Sequence, residues 1–394
     1  MNIVFLNMPI EFYSPVSGGA VATIIMEVAR ALIAAGHHVM VLSRETSDEQ
    51  YPVGHVIPLS IKSRDELSYL GRRLSGLQRR LHRYDWPDYA SYRSQFEHAL
   101  ALLKPSPDAV IVFNDLASPK YIRRILPNAR IYSWLQNECR TNQRDLGEAI
   151  SALDLLFTCS SYIRDWTSET HKIPLEKFAV LTSGIDLDRF FPRESFLSPD
   201  SSLRTLFIGR IDPNKGPDLA LGAVSTVRSE GKNISLTIAG GLWFYSRGNE
   251  MEDPFYRSLH EKIAASSFAT HLGHVTREKV PNLIRQHDVA FILSRSNEPF
   301  GLVVLEAMAS GLAVIASNRG GLPEACGNAA QLVDPDRPDE IAAALRQLAV
   351  DPGVLAEHKQ KSLDRARKAP WSSVGARMLG VMERSRTTEF AAAQ

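Results

Sequence analysis

Short runs of apolar, β-branched residues alternate along the chain with longer segments whose apolar positions recur every three or four residues. Runs at 3–6, 39–42, 109–113, 131–134 and 155–159 read as strands in the first half, and runs at 205–208, 235–239, 289–293 and 313–316 in the second. They are apolar at consecutive positions rather than at every second one, as parallel strands covered on both faces must be. Segments 21–35, 89–103, 218–230, 277–286, 302–310 and 338–348 carry the helical period. Alternation on this scale predicts βαβ units and doubly wound parallel sheets.

The pattern breaks at 191–202, where Pro192, Pro199 and a run of serines precede a new strand at Leu203. The boundary is placed there, giving a Rossmann-like first domain over 1–195 and a second over 196–370. A second break at Lys368-Ala369-Pro370-Trp371 is followed by a last helical pattern over 371–390, marked by Val374, Met378, Leu379 and Met382. No sequence repeat relates the halves.

A length of 394 residues suits two or three domains, and 44% hydrophobic with 23% charged residues is the balance of a soluble globular protein. Forty-five basic side chains against forty-four acidic ones argue against a nucleic-acid binder, which needs a net basic surface. Cys139, Cys159 and Cys326 are widely spaced and form neither a disulfide framework nor a CxxC clamp, so a reducing cytoplasm is expected. The opening residues lack a secretory pattern, and the longest nearly apolar stretch, 301–316, carries Glu306 and is too short to span a bilayer. The expectation is a cytoplasmic protein, at most peripheral on the inner membrane face.

Three places carry candidate chemistry. The loop after the first strand ends in Gly18-Gly19 before a helix, where glycines let backbone approach an anion and the helix N-terminus offers free N–H groups; a flexible turn is the alternative. The GxGxxG fingerprint of NAD-binding sheets is absent. Arg210 and Lys215 follow the strand 205–208 at its carboxyl end, where parallel sheets bind ligands, and a guanidinium fork with an ammonium suits a diphosphate; solvated surface charges are the alternative. The third is 296–311: a buried strand runs into Glu298-Pro299-Phe300-Gly301-Leu302, and a helix then carries Glu306 about a turn inside. One acid can reach sugar hydroxyls, the other a ribose, and the N–H groups of Phe300 to Val303 can face a diphosphate. The alternative makes Glu306 a helix-capping acid and leaves Glu298 in solvent.

At these residues the sequence resembles the family-4 retaining glycosyltransferases with the GT-B fold. The matching segments run in order: Gly18-Gly19, Thr182-Ser183-Gly184-Ile185-Asp186, Phe207-Ile208-Gly209-Arg210 with Lys215-Gly216, and Ala239-Gly240-Gly241. Leu272-Gly273-His274-Val275, the Glu298/Glu306 pair and Gly320-Gly321-Leu322-Pro323-Glu324 follow. The resemblance implies an α/β GT-B protein, two Rossmann-like domains facing a central cleft, with the last helix crossing back to the first. It implies metal-independent transfer of a sugar, with retention, from a UDP- or GDP-sugar to an acceptor hydroxyl. No cofactor is implied beyond that donor. Glu306 would hold the ribose, Arg210 and Lys215 the diphosphate, and Glu298 with Phe300, Gly301 and Leu302 the donor sugar. Gly18 and Gly19 would approach the β-phosphate, and His274 and Val275 the base.

Many relatives carry a His after the fourth or fifth strand of the first domain. The comparable strand ends here are Phe113-Asn114-Asp115 and Trp134-Leu135-Gln136-Asn137-Glu138, without one. Asn114, Asp115, Gln136 and Asn137 are all candidates to stand in, with a slight preference for the first two: an aspartate can accept a hydroxyl proton, an asparagine only hydrogen-bond. An epimerase of the same shape, or a non-catalytic nucleotide-sugar or glycan-binding protein, is the competing reading. The acceptor implied by analogy is a bacterial glycan, lipopolysaccharide or glycolipid. Leucines at 67, 70, 74, 77 and 81 among basic residues over 62–84 suggest either peripheral contact with anionic lipid or an ordinary amphipathic edge helix.

Overall fold

A computed structural model of the chain describes residues 1–17, 19–61, 89–141, 143–193, 202–242 and 250–392, with backbone alone at 143–145 and 386–392. The proposed membrane segment 62–84 and Gly18 lie outside the described residues. The chain divides into two compact units, Met1–Ser183 with Trp371–Gln394, and Gly184–Pro370.

The first unit is built on a seven-stranded parallel sheet. Its strands are β1 (Asn2–Leu6), β2 (His38–Arg44), β3 (His55–Leu59), β4 (Ala109–Phe113), β5 (Arg130–Leu135), β6 (Leu155–Thr158) and β7 (Phe178–Val180), in the order β3-β2-β1-β4-β5-β6-β7. All five residues of β4 are buried, as an apolar run between two helical layers requires. Phe5 meets Phe113 edge-on at 5.7 Å and Tyr132 stacks on Phe157 at 4.9 Å, so aromatic pairs fill the middle of the sheet. The helix Ala20–Ala34 packs on the last helix, Trp371–Ala392. Gly375 permits this, because a Cβ there would stand 2.9 Å from the Cβ of Ala31.

The second unit has a six-stranded parallel sheet. Its strands are β8 (Leu203–Ile208), β9 (Ile234–Ala239), β10 (Ala269–His271), β11 (Val289–Ile292), β12 (Ala313–Ser317) and β13 (Ala330–Val333), in the order β10-β9-β8-β11-β12-β13. Phe207, Leu236, Ile238, Phe291 and Ile315 join Val224, Leu345 and Leu348 of the flanking helices in one core cluster.

The division falls after Ser183, earlier than the Pro- and Ser-rich break at 191–202. The reason lies in what residues 184–193 touch: the Ile185 N–H donates to the Ala369 carbonyl at 2.8 Å. Arg193 reaches the buried Asp288 at 2.5 Å, where Lys359 also binds at 2.7 Å. Composition marks a weak point in the pattern, but these contacts assign the segment. Among the described residues no helix is long and apolar enough to cross a membrane.

Candidate active site

Each sheet reverses its strand order once, at β1/β4 in the first unit and at β8/β11 in the second. Loops leaving two such strands turn to opposite faces and leave a crevice beyond the carboxyl ends. Within each unit, most of the residues singled out in the sequence lie on these loops or at their ends. Gly19, Asn114 and Asp115 lie after β1 and β4; Arg210, Lys215, Glu298, Phe300, Gly301 and Leu302 lie after β8 and β11.

In the second unit the two loops are tied to each other. The Lys215 ammonium donates to the Glu298 carboxylate, and Ser294 Oγ donates to the same oxygen at 2.5 Å. Arg295 forks onto Asp218 at 2.9 and 2.7 Å and donates to the Pro213 carbonyl at 2.6 Å. Its own N–H donates to the Asn214 carbonyl at 2.7 Å. Gly216 has φ 71°, and a Cβ there would lie 2.3 Å from the Leu293 carbonyl oxygen, so the loops meet backbone to backbone.

Glu298 is held from its other side. Gly320 adopts φ 59°, a Cβ would fall 2.3 Å from the Glu298 carbonyl oxygen, and the Gly321 N–H donates to that oxygen at 2.6 Å. Gly301 opens the helix Leu302–Ala309 with no side-chain cap. The first N–H groups of such a helix have no intrahelical acceptor, and with the helix dipole they favour an anion.

Glu306 lies inside that helix, 7% exposed, with Arg277 Nη2 at 3.9 Å. Burial pushes its pKa up, while the charges of Arg277 and Arg189 pull it back down. Arg189 in turn donates to the Arg277 carbonyl. Arg210 stands with a different group of residues from Lys215. Its guanidinium is 3.5 Å from the Asp212 carboxylate, and with Gly240, Gly241, His274 and Val275 it lines a pocket of about 180 Å³. The two cations expected together therefore fall into two settings: Lys215 on Glu298, and Arg210 beside the pocket that also holds His274 and Val275.

In the first unit, Asn114 and Asp115 line a pocket of about 200 Å³ with Met8, Ile10, Asn137 and Cys139 among its walls. Asn114 has φ 51°; its Oδ1 accepts from the Gln136 N–H at 2.6 Å, and among the described residues its Nδ2 has only the soft acceptor Met8 Sδ, at 3.1 Å. Asp115 is 4% exposed and accepts from the N–H groups of Ala117 at 2.7 Å and Ser118 at 3.1 Å and from the Ser118 hydroxyl. Burial raises its pKa against those hydrogen bonds. Its carboxylate thus holds the turn into the helix Pro119–Ile125, and of the two stand-ins Asn114 has the freer polar atom.

Gly19 sits where the sequence places it, at the N-terminus of the helix Ala20–Ala34, but the position nominated for a phosphate holds the chain's own Glu11. Glu11 Oε1 accepts from the Ala22 N–H at 2.8 Å and is 2.9 Å from where a Gly19 Cβ would be. Sequence reasoning missed Glu11, Ser294, Arg295, Arg189 and Arg277. Arg295 had a readable signal, since it follows β11 as Arg210 follows β8. Glu11 had none, because its partner helix starts across a loop of irregular backbone.

Comparison with known proteins agrees with this architecture. The family model for glycosyl transferases group 1 matches residues 188–369, and that for glycosyltransferase family 4 matches residues 17–189. D-inositol 3-phosphate glycosyltransferase 2 of Catenulispora acidiphila is 31% identical over 222 residues, 53% of this chain and 51% of that protein. The chain spans about half the length of several curated relatives it matches. Among solved structures, sucrose-phosphate synthase of Thermosynechococcus elongatus aligns over 100% of both chains with a TM-score of 0.75 at 20% identity. Anabaena Alr3699/HepE, in complex with UDP and glucose, aligns over 97% of this chain and 99% of its own with a TM-score of 0.72 at 15% identity.

Proposed function

Because the chain belongs to the family-4-like glycosyltransferases of the GT-B fold, we propose that it transfers a sugar from a nucleoside-diphosphate sugar to an acceptor hydroxyl, with retention and without a metal. The observation that carries this reading is the join between the loops after β8 and β11. A cation, Lys215, and an acid, Glu298, meet there beside an uncapped helix N-terminus. A departing diphosphate needs positive charge and N–H donors already in place, and a hexose needs an acceptor for its hydroxyls. The donor diphosphate would take Lys215 from Glu298 and free the carboxylate for the sugar. The pocket beside Arg210, His274 and Val275 suits the base, and Glu306 the ribose. UDP-sugars are the donors to test first, because a structural neighbour was solved with UDP; GDP-sugars are the alternative.

The pocket at Asn114 is the proposed acceptor site. With Asp115 engaged by its own turn, the departing phosphate is the proton acceptor this reading assigns, and Asn114 Nδ2 is a donor for a substrate hydroxyl. A bacterial glycan, lipopolysaccharide or glycolipid acceptor is proposed on the family's pattern. The test is incubation with UDP- and GDP-hexoses, with and without a glycan or glycolipid acceptor panel, in excess chelator. Acceptor-dependent release of one nucleoside diphosphate supports transfer; conversion of donor without any acceptor supports an epimerase instead.

A further inference from the structure

Arg277 lies two positions beyond Val275, in the loop between β10 and the helix Val280–Arg285. Its Nη2 is 3.9 Å from Glu306 Oε1, which is attraction without a hydrogen bond. Its Nε is buried and, among the described residues, has no acceptor. A buried donor is costly to leave unmade, so a site with such a donor is completed by an acceptor atom from elsewhere. The loop is not free to drift, because Arg189 donates to the Arg277 carbonyl.

We propose that Arg277, braced by Arg189, is a positioning residue for the nucleotide: it aligns the Glu306 carboxylate and shares with it a hydroxyl of the bound ribose. The inference rests on the donor-site reading above. A hydroxyl is donor and acceptor at once, so it fits between a guanidinium that only donates and a carboxylate that only accepts. The space between Nη2 and Oε1, too long for a direct bond, is where that exchange is made. Arg189 and Arg277 bring two positive charges toward this buried acid, and both favour its accepting form against the burial that opposes it. This contact, like those of Ile185 and Arg193, lies within the second unit.

The test is calorimetric titration of the full chain with UDP and with 2′-deoxy-UDP, or with GDP and 2′-deoxy-GDP if guanine is the base bound. The wild type is expected to prefer the ribonucleotide by ~10-fold, the scale of one hydrogen bond to a charged group. Arg277→Gln should bring that preference below ~2-fold while leaving the ligand-free melting temperature nearly unchanged. Arg277→Lys, which keeps charge but has no Nε–H, should restore part of it. A wild-type preference retained in both variants overturns the inference while leaving the donor site intact. A wild type that binds no nucleotide overturns the donor-site reading and this inference with it.

Discussion

The Lys215 ammonium is bound to the Glu298 carboxylate, across the junction of the loops that leave β8 and β11. In the ligand-free chain each group therefore satisfies the other. Binding of a nucleoside-diphosphate sugar exchanges one ion pair for two separate contacts, phosphate on the cation and sugar on the acid. Lys215→Ala should weaken nucleoside-diphosphate binding by ~10-fold or more, in keeping with loss of a charge-assisted contact. Glu298→Gln should bind the free nucleotide nearly as the wild type does and lose most of its turnover. Titration calorimetry with steady-state kinetics separates the two; equal small effects in both variants would refute the assignment.

Glu306 gives a pH prediction. Its folded-state pKa lies above the ordinary 4.5 because burial outweighs Arg277 and Arg189. A carboxyl raised in this way favours the folded state below the unfolded pKa, and that contribution is lost as pH rises through the folded pKa. Glu306→Gln should consequently melt a few degrees higher than the wild type at pH 8, with the difference gone below pH 4.5. Nucleotide affinity runs the other way, because the hydroxyl-accepting form is the carboxylate. Wild-type affinity should start to fall at a pH above the ordinary carboxylate range, and Glu306→Gln should remove that dependence. Scanning calorimetry and binding titrations between pH 4 and 8 read both slopes.

Much of this arrangement was legible in the sequence, and the strands left out have a common cause. The nine strands read from apolar runs are all present. The four that were missed, β3, β7, β10 and β13, are the four sheet edges. An edge strand is covered on fewer sides, so it carries polar positions such as Gln331 of β13 or Pro58 of β3 instead of a continuous apolar run. The candidate site residues could be named because ligands bind outside the carboxyl ends of the strands in open parallel sheets. What they pair with could not be. Lys215 with Glu298 and Glu306 with Arg277 join residues far apart in the chain, and Glu11 under Gly19 depends on loop backbone that no periodicity records.

Gly320 supports Glu298 by what it lacks. Gly320→Ala would place a Cβ 2.3 Å from the Glu298 carbonyl oxygen at φ 59°. The strain and the forced shift should cost at least about 1–3 kcal/mol. The expected result is a lower melting temperature together with reduced kcat. A variant with wild-type stability and activity would show that the loop tolerates displacement and that Glu298 needs no fixed backbone.

Asp115 separates a structural carboxylate from a catalytic one. Asp115→Asn keeps the size of the side chain but loses acceptor capacity toward Ala117, Ser118 and the Ser118 hydroxyl. A stability loss of about 1–3 kcal/mol is expected, with kcat of the folded fraction within a few-fold of wild type. Asn114→Ala should show the larger fall in kcat for a similar loss of stability. Denaturant titration beside single-turnover rates distinguishes them, and a thousand-fold loss confined to Asp115→Asn would restore it as the base.

Whether Lys215 and Glu306 hold one nucleoside diphosphate is read by titrating the purified chain with UDP and with GDP, and repeating this on Lys215→Ala and Glu306→Ala. One of the two nucleotides should bind the wild type, and each substitution should weaken that binding by ~10-fold or more. Binding of neither nucleotide to the wild type, or equal affinity in all three proteins, would contradict this.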